Sequence, residues 1–150
     1  MAIFPVAADD IEQVDALFAD SDGPSKTFLF SVLGQPTTRA WKWVVADEIV
    51  ALAWFTVVVG ESELLDIRVV NARRGAGFGS TLLRACLQQV FTQAHSCLLE
   101  VRRSNIGAQR LYRRLGFVET GIRPHYYPCT TGREDAILMS LTDGKTEQAD

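Results

Sequence analysis

A chain of 150 residues, 47% of them hydrophobic, is long enough to bury one substantial core and short for two ordinary domains. A net charge of −3 argues against a protein that must neutralise many nucleic-acid phosphates, and no apolar run approaches the ~18 residues of a membrane span. The start, Met1 to Pro5 followed by Asp9-Asp10, lacks the basic end and apolar stretch of a signal peptide, so a cytoplasmic protein is expected. Cys86, Cys97 and Cys129 are odd in number and have no metal-ligand spacing; they read as reduced thiols, mostly buried.

Taken in chain order, Asp9 or Asp10 is placed to cap a first helix in which Ile11, Val14, Leu17 and Phe18 recur at helical spacing. The chain breaks at Ser21-Asp22-Gly23-Pro24, and a short second helix is predicted over 25–33, ended by Gly34-Gln35-Pro36. Two strands follow, over 40–46 and 49–59, joined by a hairpin at Asp47-Glu48, and a turn at 60–62 leads into a third strand over 63–70. A helix over 81–94 then puts Leu82, Leu83, Cys86, Leu87, Val90, Phe91 and Ala94 on one side. Residues 97–102 read as a strand, 106–115 as a helix stopped by Gly116, and 117–127 and 136–141 as two closing strands. The segment 142–150 is polar and reads as a loose tail behind a domain spanning 1–141. Helices first, then antiparallel strands, then alternating strands and helices describe an α/β domain with a mixed sheet covered on both faces.

Between the third strand and the long helix lies Arg74-Gly75-Ala76-Gly77-Phe78-Gly79-Ser80. Glycines let the backbone approach an anion, and the free N–H groups of a first helical turn add about half a positive charge. By itself, a Gly-x-Gly between strand and helix is equally a tight turn with close packing. The segment fits neither common nucleotide loop: no Gly-Lys-Ser/Thr follows, and Leu82 stands where a third spaced glycine would. Arg74-x-x-Gly77-x-Gly79 instead resembles the acetyl-CoA loop of the GCN5-related N-acetyltransferases.

A second hallmark of that family is similar to Asn105-x-x-Ala108-x-x-Leu111-Tyr112-x-x-x-Gly116-Phe117, which follows the strand Leu98-Leu99-Glu100-Val101. The run Tyr126-Tyr127-Pro128-x-Thr130-x-Gly132-Arg133-Glu134-Asp135-Ala136 further resembles the bacterial ribosomal-protein-alanine N-acetyltransferases, the RimI type. The similarity is dense over 64–141 and faint before it. One departure stands out: Gly23-Pro24-Ser25-Lys26 carries no tryptophan where that type has Pro-Trp-Ser. The resemblance implies a single domain with a mixed, mostly antiparallel central sheet, and a reaction that moves acetyl from acetyl-CoA to the N-terminal alanine of small-subunit ribosomal protein eighteen. From the charge and the absence of metal-ligand spacing, no direct contact with nucleic acid and no metal are expected, and the chain is expected to be a monomer or weak dimer.

The resemblance also assigns roles. Ile67, Arg68 and Val69 would align the acetyl-pantetheine arm by their main chain, with the Val69 N–H beside the developing oxyanion. Arg74, Gly75, Ala76, Gly77, Phe78, Gly79 and Ser80 would hold the pyrophosphate, and Asn105 would touch the cofactor. From the residues alone, Ile67 and Val69 are core side chains, Arg68 is exposed, and Asn105, with Ser104, is a helix cap. Glu100 matches the family's catalytic base, acting through a water on an ammonium that titrates near ~8. Burial near Leu98 and Leu99 would raise its pKa; the competing reading pairs it with Arg102 on an exposed strand face. Tyr112 matches the general acid for the leaving thiolate, although Ala108, Leu111 and Leu115 around it equally describe a core tyrosine.

Tyr126, Tyr127, Arg133 and Glu134 are the acceptor-binding candidates, with Glu134 or Asp135 able to attract a basic protein. Structurally, residues 130–133 need be no more than a turn. Arg110, Arg113 and Arg114 read as a solvated helix face, and His95 and His125 as surface or loop histidines. Transfer to a lysine or a small amine, and a non-catalytic acetyl-CoA-binding module, remain the alternative functions at this point.

Overall fold

The computed structural model describes residues 2–19 and 23–144. Its scaffold is one seven-stranded sheet in the order β1-β2-β3-β4-β5-β7-β6, formed by β1 (Ile3–Pro5), β2 (Thr38–Val45), β3 (Glu48–Val58), β4 (Glu61–Val69), β5 (Ser96–Arg102), β6 (Val118–Cys129) and β7 (Gly132–Thr142). Every neighbouring pair is antiparallel except β4 and β5, the two strands joined through a helix, as a crossover requires. The β2–β3 hairpin turns at Ala46 and Asp47, both at positive φ (50° and 64°), one residue earlier than the Asp47-Glu48 link read from the sequence, and Glu48 already opens β3.

Apolar alternation along the strands builds a core on each face. On one face, α2 (Phe78–Val90) and α3 (Ile106–Arg114) bury Leu82, Leu83, Cys86, Leu87, Val90 and Tyr112 against Ala51, Phe55, Leu99, Val101 and Met139. Truncating a fully buried leucine such as Leu83 to alanine costs about 2–5 kcal/mol. On the other face, the N-terminal segment and α1 (Lys26–Ser31) bury Val14, Leu17 and Leu29 against Ala40, Ile49, Leu52 and Trp54. Helices on both faces of a mixed, mostly antiparallel sheet are the α/β domain that the element order implies.

The first helix is a correction. Residues Ala8–Gln13 and Asp15–Phe18 form two separate 3₁₀ turns, broken at Val14 (φ −120°, ψ 12°). Asp10 is not a cap ahead of the helix but sits inside the first turn, where its carboxylate accepts the Ala7 N–H at 2.7 Å and pairs with Lys42 at 2.8 Å. That buried ion pair ties the turn to β2, and the pull of the sheet overrides the helical periodicity of Ile11, Val14, Leu17 and Phe18. The second helix ends earlier than predicted: the Leu33 N–H turns to the Phe30 carbonyl at 3.3 Å, three residues back instead of four, and the Val32 carbonyl accepts the Thr38 hydroxyl at 2.6 Å. Its start is as read, with Ser25 accepting the Phe28 N–H at 3.0 Å.

Two further boundaries move. α2 begins at Phe78 rather than residue 81, so the last part of the glycine loop is helix. The closing strands are longer than predicted, and the chain reverses at Thr130-Thr131, which puts Gly132–Asp135 inside β7. Cys86 and Cys97 are buried free thiols, pushed up by burial to about 12 and about 11, and Cys129 is half-buried. Among the described residues no helix is long and apolar enough to cross a membrane. Most of the proposed tail, 145–150, and Ser21-Asp22 of the first break lie outside the described residues.

Candidate active site

The parallel pair comes apart. β4 and β5 are in register only at Glu61↔Ser96, Ser62↔Cys97 and Glu63↔Leu98, yet β4 runs on to Val69 and β5 to Arg102. A bulge prepares the divergence: Trp54 faces Asp66 and Phe55 faces Leu64, leaving Leu65 as an extra residue that bends β4. The open edge exposes main-chain groups in a fixed alternation. The Val70 N–H donates to the Val50 carbonyl at 2.9 Å, so Arg68 shares the β3 ladder while Ile67 and Val69 direct their N–H and C=O into the cleft. The Ile67 and Val69 side chains pack against the α2–α3 core, as read from the residues.

Arg68 is not exposed. Its side chain is buried on the opposite face against the N-terminal segment, in an ion pair with Asp66 at 2.5 Å. A period-two reading of β4 puts Asp66 and Arg68 on one face but not inside the protein, because the groups that cover them, the Leu17 and Pro24 carbonyls, lie 51 and 44 residues away in sequence.

Beyond Val69 a 3₁₀ turn (Asn71–Arg73) leads to Arg74, whose Nε donates to the Val69 carbonyl at 3.0 Å. Gly75 and Gly77 stand at φ +79° and +84°, the left-handed region that excludes most side chains, and a Cβ on either would meet nothing within 4 Å. The space above both is open. Gly77 is the N-cap of α2 and offers no side chain, and the first turn holds no acidic residue. The first helical bond runs from the Thr81 N–H to the Gly77 carbonyl at 3.1 Å, so the amides of Phe78, Gly79 and Ser80 precede it and point out of the helix end. Ser80 turns its hydroxyl onto the Gly77 carbonyl at 3.3 Å. The Phe78 ring is directed away, stacked 4.6 Å from Trp43 with the Arg73 guanidinium 5.3 Å above it. Exposed Ala76 completes the loop. Open glycines, free amides and uncompensated dipole fit a diphosphate.

Asn105 caps α3, its side chain accepting the Ala108 N–H at 3.1 Å, as the sequence implied. Two turns beyond the cap, Tyr112 is buried with its ring 5.9 Å from Phe117. Burial pushes the phenol well above its ordinary value, and the charges that add to the shift are Asp66 on β4, then Tyr127 on β6. The phenol therefore stays protonated.

Glu100 points to the other face of β5, away from buried Leu99 and Val101, and is half-buried. Its partner is neither of those anticipated: not the apolar Leu98, which is exposed, nor Arg102, but Arg123 of β6 at 3.1 Å. Beside it on the same face lies Glu63, a residue the sequence reading passed over. Glu63 is the last rung before the strands part, and its carboxyl is raised by burial and by Glu100, and lowered by Arg123. The alternation Ser62-Glu63-Leu64 put it on the polar face, but only the β4–β5 pairing brings it to Glu100.

The acceptor candidates divide. The Tyr126 and Tyr127 rings meet edge to face at 4.9 Å, with Arg102 standing 4.5 Å over Tyr127 and Arg123 5.4 Å from Tyr126. Between Arg123 and Tyr127 the strand bulges, three residues facing Asp135 alone, with His125 at φ +52°. Arg133 holds this bulge by donating to the His125 and Tyr126 carbonyls at 2.8 and 2.6 Å. Glu134 accepts from the Ser104 N–H and hydroxyl at 3.1 and 2.7 Å, and Asp135 accepts the His125 N–H at 3.0 Å. Arg133, Glu134 and Asp135 thus bind their own chain, and the two tyrosine rings remain as surface. Arg110, Arg113 and Arg114 are exposed on α3.

With this geometry in hand, the chain can be set beside known proteins. It is 44% identical over 92 residues to the ribosomal protein bS18-alanine N-acetyltransferase of Escherichia coli K12, covering 61% of this chain and 62% of that one. It is 38% identical over 102 residues to its Haemophilus ducreyi counterpart, covering 67% and 70%. The chain thus spans just under two thirds of one of these relatives and slightly more of the other. The crystal structure of the Escherichia coli enzyme superposes with a TM-score of 0.86 at 31% identity over 94% of this chain and 92% of that one. A spermidine N-acetyltransferase from Vibrio cholerae shares the fold at TM-score 0.84 and 18% identity, over the whole of both chains. The model of the acetyltransferase (GNAT) family matches residues 6–117, three quarters of the length and all of the cleft from β4 to α3, and the chain belongs to that family.

Proposed function

We propose that this protein is an Nα-acetyltransferase that uses acetyl-CoA to acetylate the N-terminal alanine of ribosomal protein bS18. The observation that carries the reading is the split between β4 and β5, with the open glycines of the loop before α2 beyond the end of β4 and Glu100 and Tyr112 on opposite faces of the sheet. In this reading the diphosphate of acetyl-CoA lies on the amides of residues 75–80, with Arg74 beside it and Asn105 across the cleft. The pantetheine arm runs along the Ile67 and Val69 main chain, and the Val69 N–H faces the thioester oxygen.

The chemistry divides between the two faces of the sheet. Glu100, through a water, takes a proton from the acceptor ammonium, and the freed amine attacks the thioester carbonyl. Negative charge builds on the carbonyl oxygen, where a fixed N–H stabilises it without reorganisation. The tetrahedral adduct collapses by breaking the C–S bond, and Tyr112, kept protonated by burial, donates to the departing thiolate. Tyr126 and Tyr127 form the acceptor wall, and Arg133 and Glu134 shape it by bracing the bulge and the start of α3.

The test offers acetyl-CoA with two matched peptides, one with a free N-terminal alanine and one blocked but containing lysine, and locates the acetyl group by mass spectrometry. Modification of the alanine amine alone is expected. Modification of lysine alone would transfer the protein to another acceptor class, and cofactor binding without transfer would leave a binding module.

A further inference from the structure

Arg68 is the only buried arginine among the described residues. A guanidinium withdrawn from water must find acceptors around its planar edge. Nε meets Asp66 Oδ2 at 2.5 Å, Nη2 donates to the Pro24 carbonyl at 2.6 Å, Nη1 lies 3.4 Å from the Leu17 carbonyl, and the guanidinium carbon stands 4.1 Å over the Phe18 ring. Only Asp66 is on the same strand. Leu17 and Phe18 close the second 3₁₀ turn, and Pro24 leads into α1.

Gly23 completes the contact. At φ +78° it lies so close that a Cβ would come within 3.1 Å of both Arg68 Nη2 and Asp66 Oδ1. The same four residues of β4, Asp66 to Val69, therefore carry two surfaces. Their main chain forms the open edge of the cleft, and their buried pair grips the N-terminal wall. A buried ion pair is often no more stabilising than apolar packing of the same volume, so stability alone is a weak account of it. What it supplies beyond packing is direction, because a planar fork bonded to two carbonyls and a carboxylate does not slide.

We propose that Arg68 is a positioning residue. With Asp66 it locks Leu17-Phe18 and Gly23-Pro24 to the β4 edge, and so sets the width of the slot through which the acceptor amine reaches the thioester. The proposal rests on the reading above, in which the cofactor arm follows β4 and Glu100 takes the acceptor proton, because Glu100 stands on the sheet face opposite the α2–α3 core, the face that the N-terminal segment and the Arg68 side chain share. Changing the side chain leaves the Arg68 main chain in the β3 ladder and the glycine cradle untouched.

The experiment compares wild type with Arg68→Met, Arg68→Lys and Gly23→Ala in steady-state kinetics on the alanine peptide and in calorimetry with acetyl-CoA. Arg68→Met should lower acceptor kcat/KM about tenfold or more, mainly through KM, with acetyl-CoA affinity within about twofold of wild type. Arg68→Lys keeps the charge without the fork and should behave like the methionine variant. Gly23→Ala keeps the pair and displaces the wall, and should raise the acceptor KM in the same way. Unchanged acceptor KM in the folded variants, with only a lower melting temperature, would overturn the proposal.

Hydrogen exchange gives a readout independent of turnover. Faster exchange in α1, whose Leu29 amide bonds to the Ser25 carbonyl at 3.1 Å, with β5 and β7 unchanged, supports the latch; uniform change across the molecule overturns it. Should wild type acetylate neither peptide, the reading of the reaction fails, and a uniform exchange response then removes the latch as well.

Discussion

Glu100 and Arg123 form an ion pair at 3.1 Å although β7 lies between their strands. The rung Glu100↔Leu138↔Gly121 has no side chain at its outer end, so the arginine two rungs along, on the same face, reaches back over Gly121 to the carboxylate. Glu63 feels both members: burial and Glu100 raise its carboxyl, and Arg123 lowers it. Arg123→Met should therefore move the Glu63 titration further up, and Glu100→Gln should move it down toward the ordinary carboxylate range. Carbon-13 titration of the Glu63 carboxyl reads both signs. Glu100→Gln should also reduce kcat by about 10²–10⁴ if Glu100 is the base, and a near-normal rate would exclude it from the reaction.

Tyr112→Phe separates a general acid from a core ring. The ring is packed by Phe117 and the α2–α3 core, and no hydrogen bond of its hydroxyl is found among the described residues. Stability should change by less than about 1 kcal/mol, and acetyl-CoA affinity should be unaltered. Turnover should fall about a hundredfold. Because burial drives the phenol upward, no basic limb of the wild-type rate below pH 10 should come from this residue. A variant with wild-type kcat would reduce Tyr112 to packing.

The parts of this arrangement that could be read in advance are those with local causes. The glycine loop, the Asn105 cap and the two apolar faces follow from backbone geometry and periodicity within a few residues of sequence. The Glu100–Arg123 pair, Glu63 beside it, and the burial of Arg68 depend on strand order, and no spacing rule connects residue 68 to Leu17 and Pro24. The first helix failed for a related reason: Asp10 answers to Lys42 on β2, 32 residues away, more strongly than to the local pattern. Arg133 and Glu134 looked free because a turn was expected where β7 already pairs with β6.

Gly75 and Gly77 make a sharper prediction about the cradle. A Cβ on either has room, yet φ near +80° costs an alanine about 1–2 kcal/mol, and that methyl would project into the space assigned to the diphosphate. Gly77→Ala should weaken acetyl-CoA binding about tenfold or more in calorimetry, with acceptor KM at saturating cofactor little changed. Gly79→Ala is the control: its Cβ would meet Leu111 and Val69 at 3.5 and 3.7 Å, ordinary contact distances, so it should bind nearly as wild type.

The tip of the β6–β7 hairpin should loosen in acid. Hydrogen bonds from Ser104 hold the Glu134 carboxyl below its ordinary 4.5, and the His125 N–H, followed by Arg103, holds Asp135 below 3.8. A carboxyl lowered in the folded protein contributes stability that is fully present above the unfolded value and is lost as pH falls through the folded one. Glu63 and Asp66 have the opposite sign: burial raises both, so their contribution declines as pH rises through their shifted values. Below about pH 4 the two groups therefore oppose each other, the hairpin losing its braces while Glu63 and Asp66 are relieved of the cost of a partly desolvated charge. Hydrogen exchange at the His125 and Ser104 amides should rise between pH 5 and 3 beyond the change in intrinsic exchange chemistry, while the β3 and β5 amides stay protected. Glu134→Gln should bring much of the Ser104 effect to neutral pH, and equal protection of Ser104 in that variant and in wild type would show that the charge on Glu134 does not hold the start of α3.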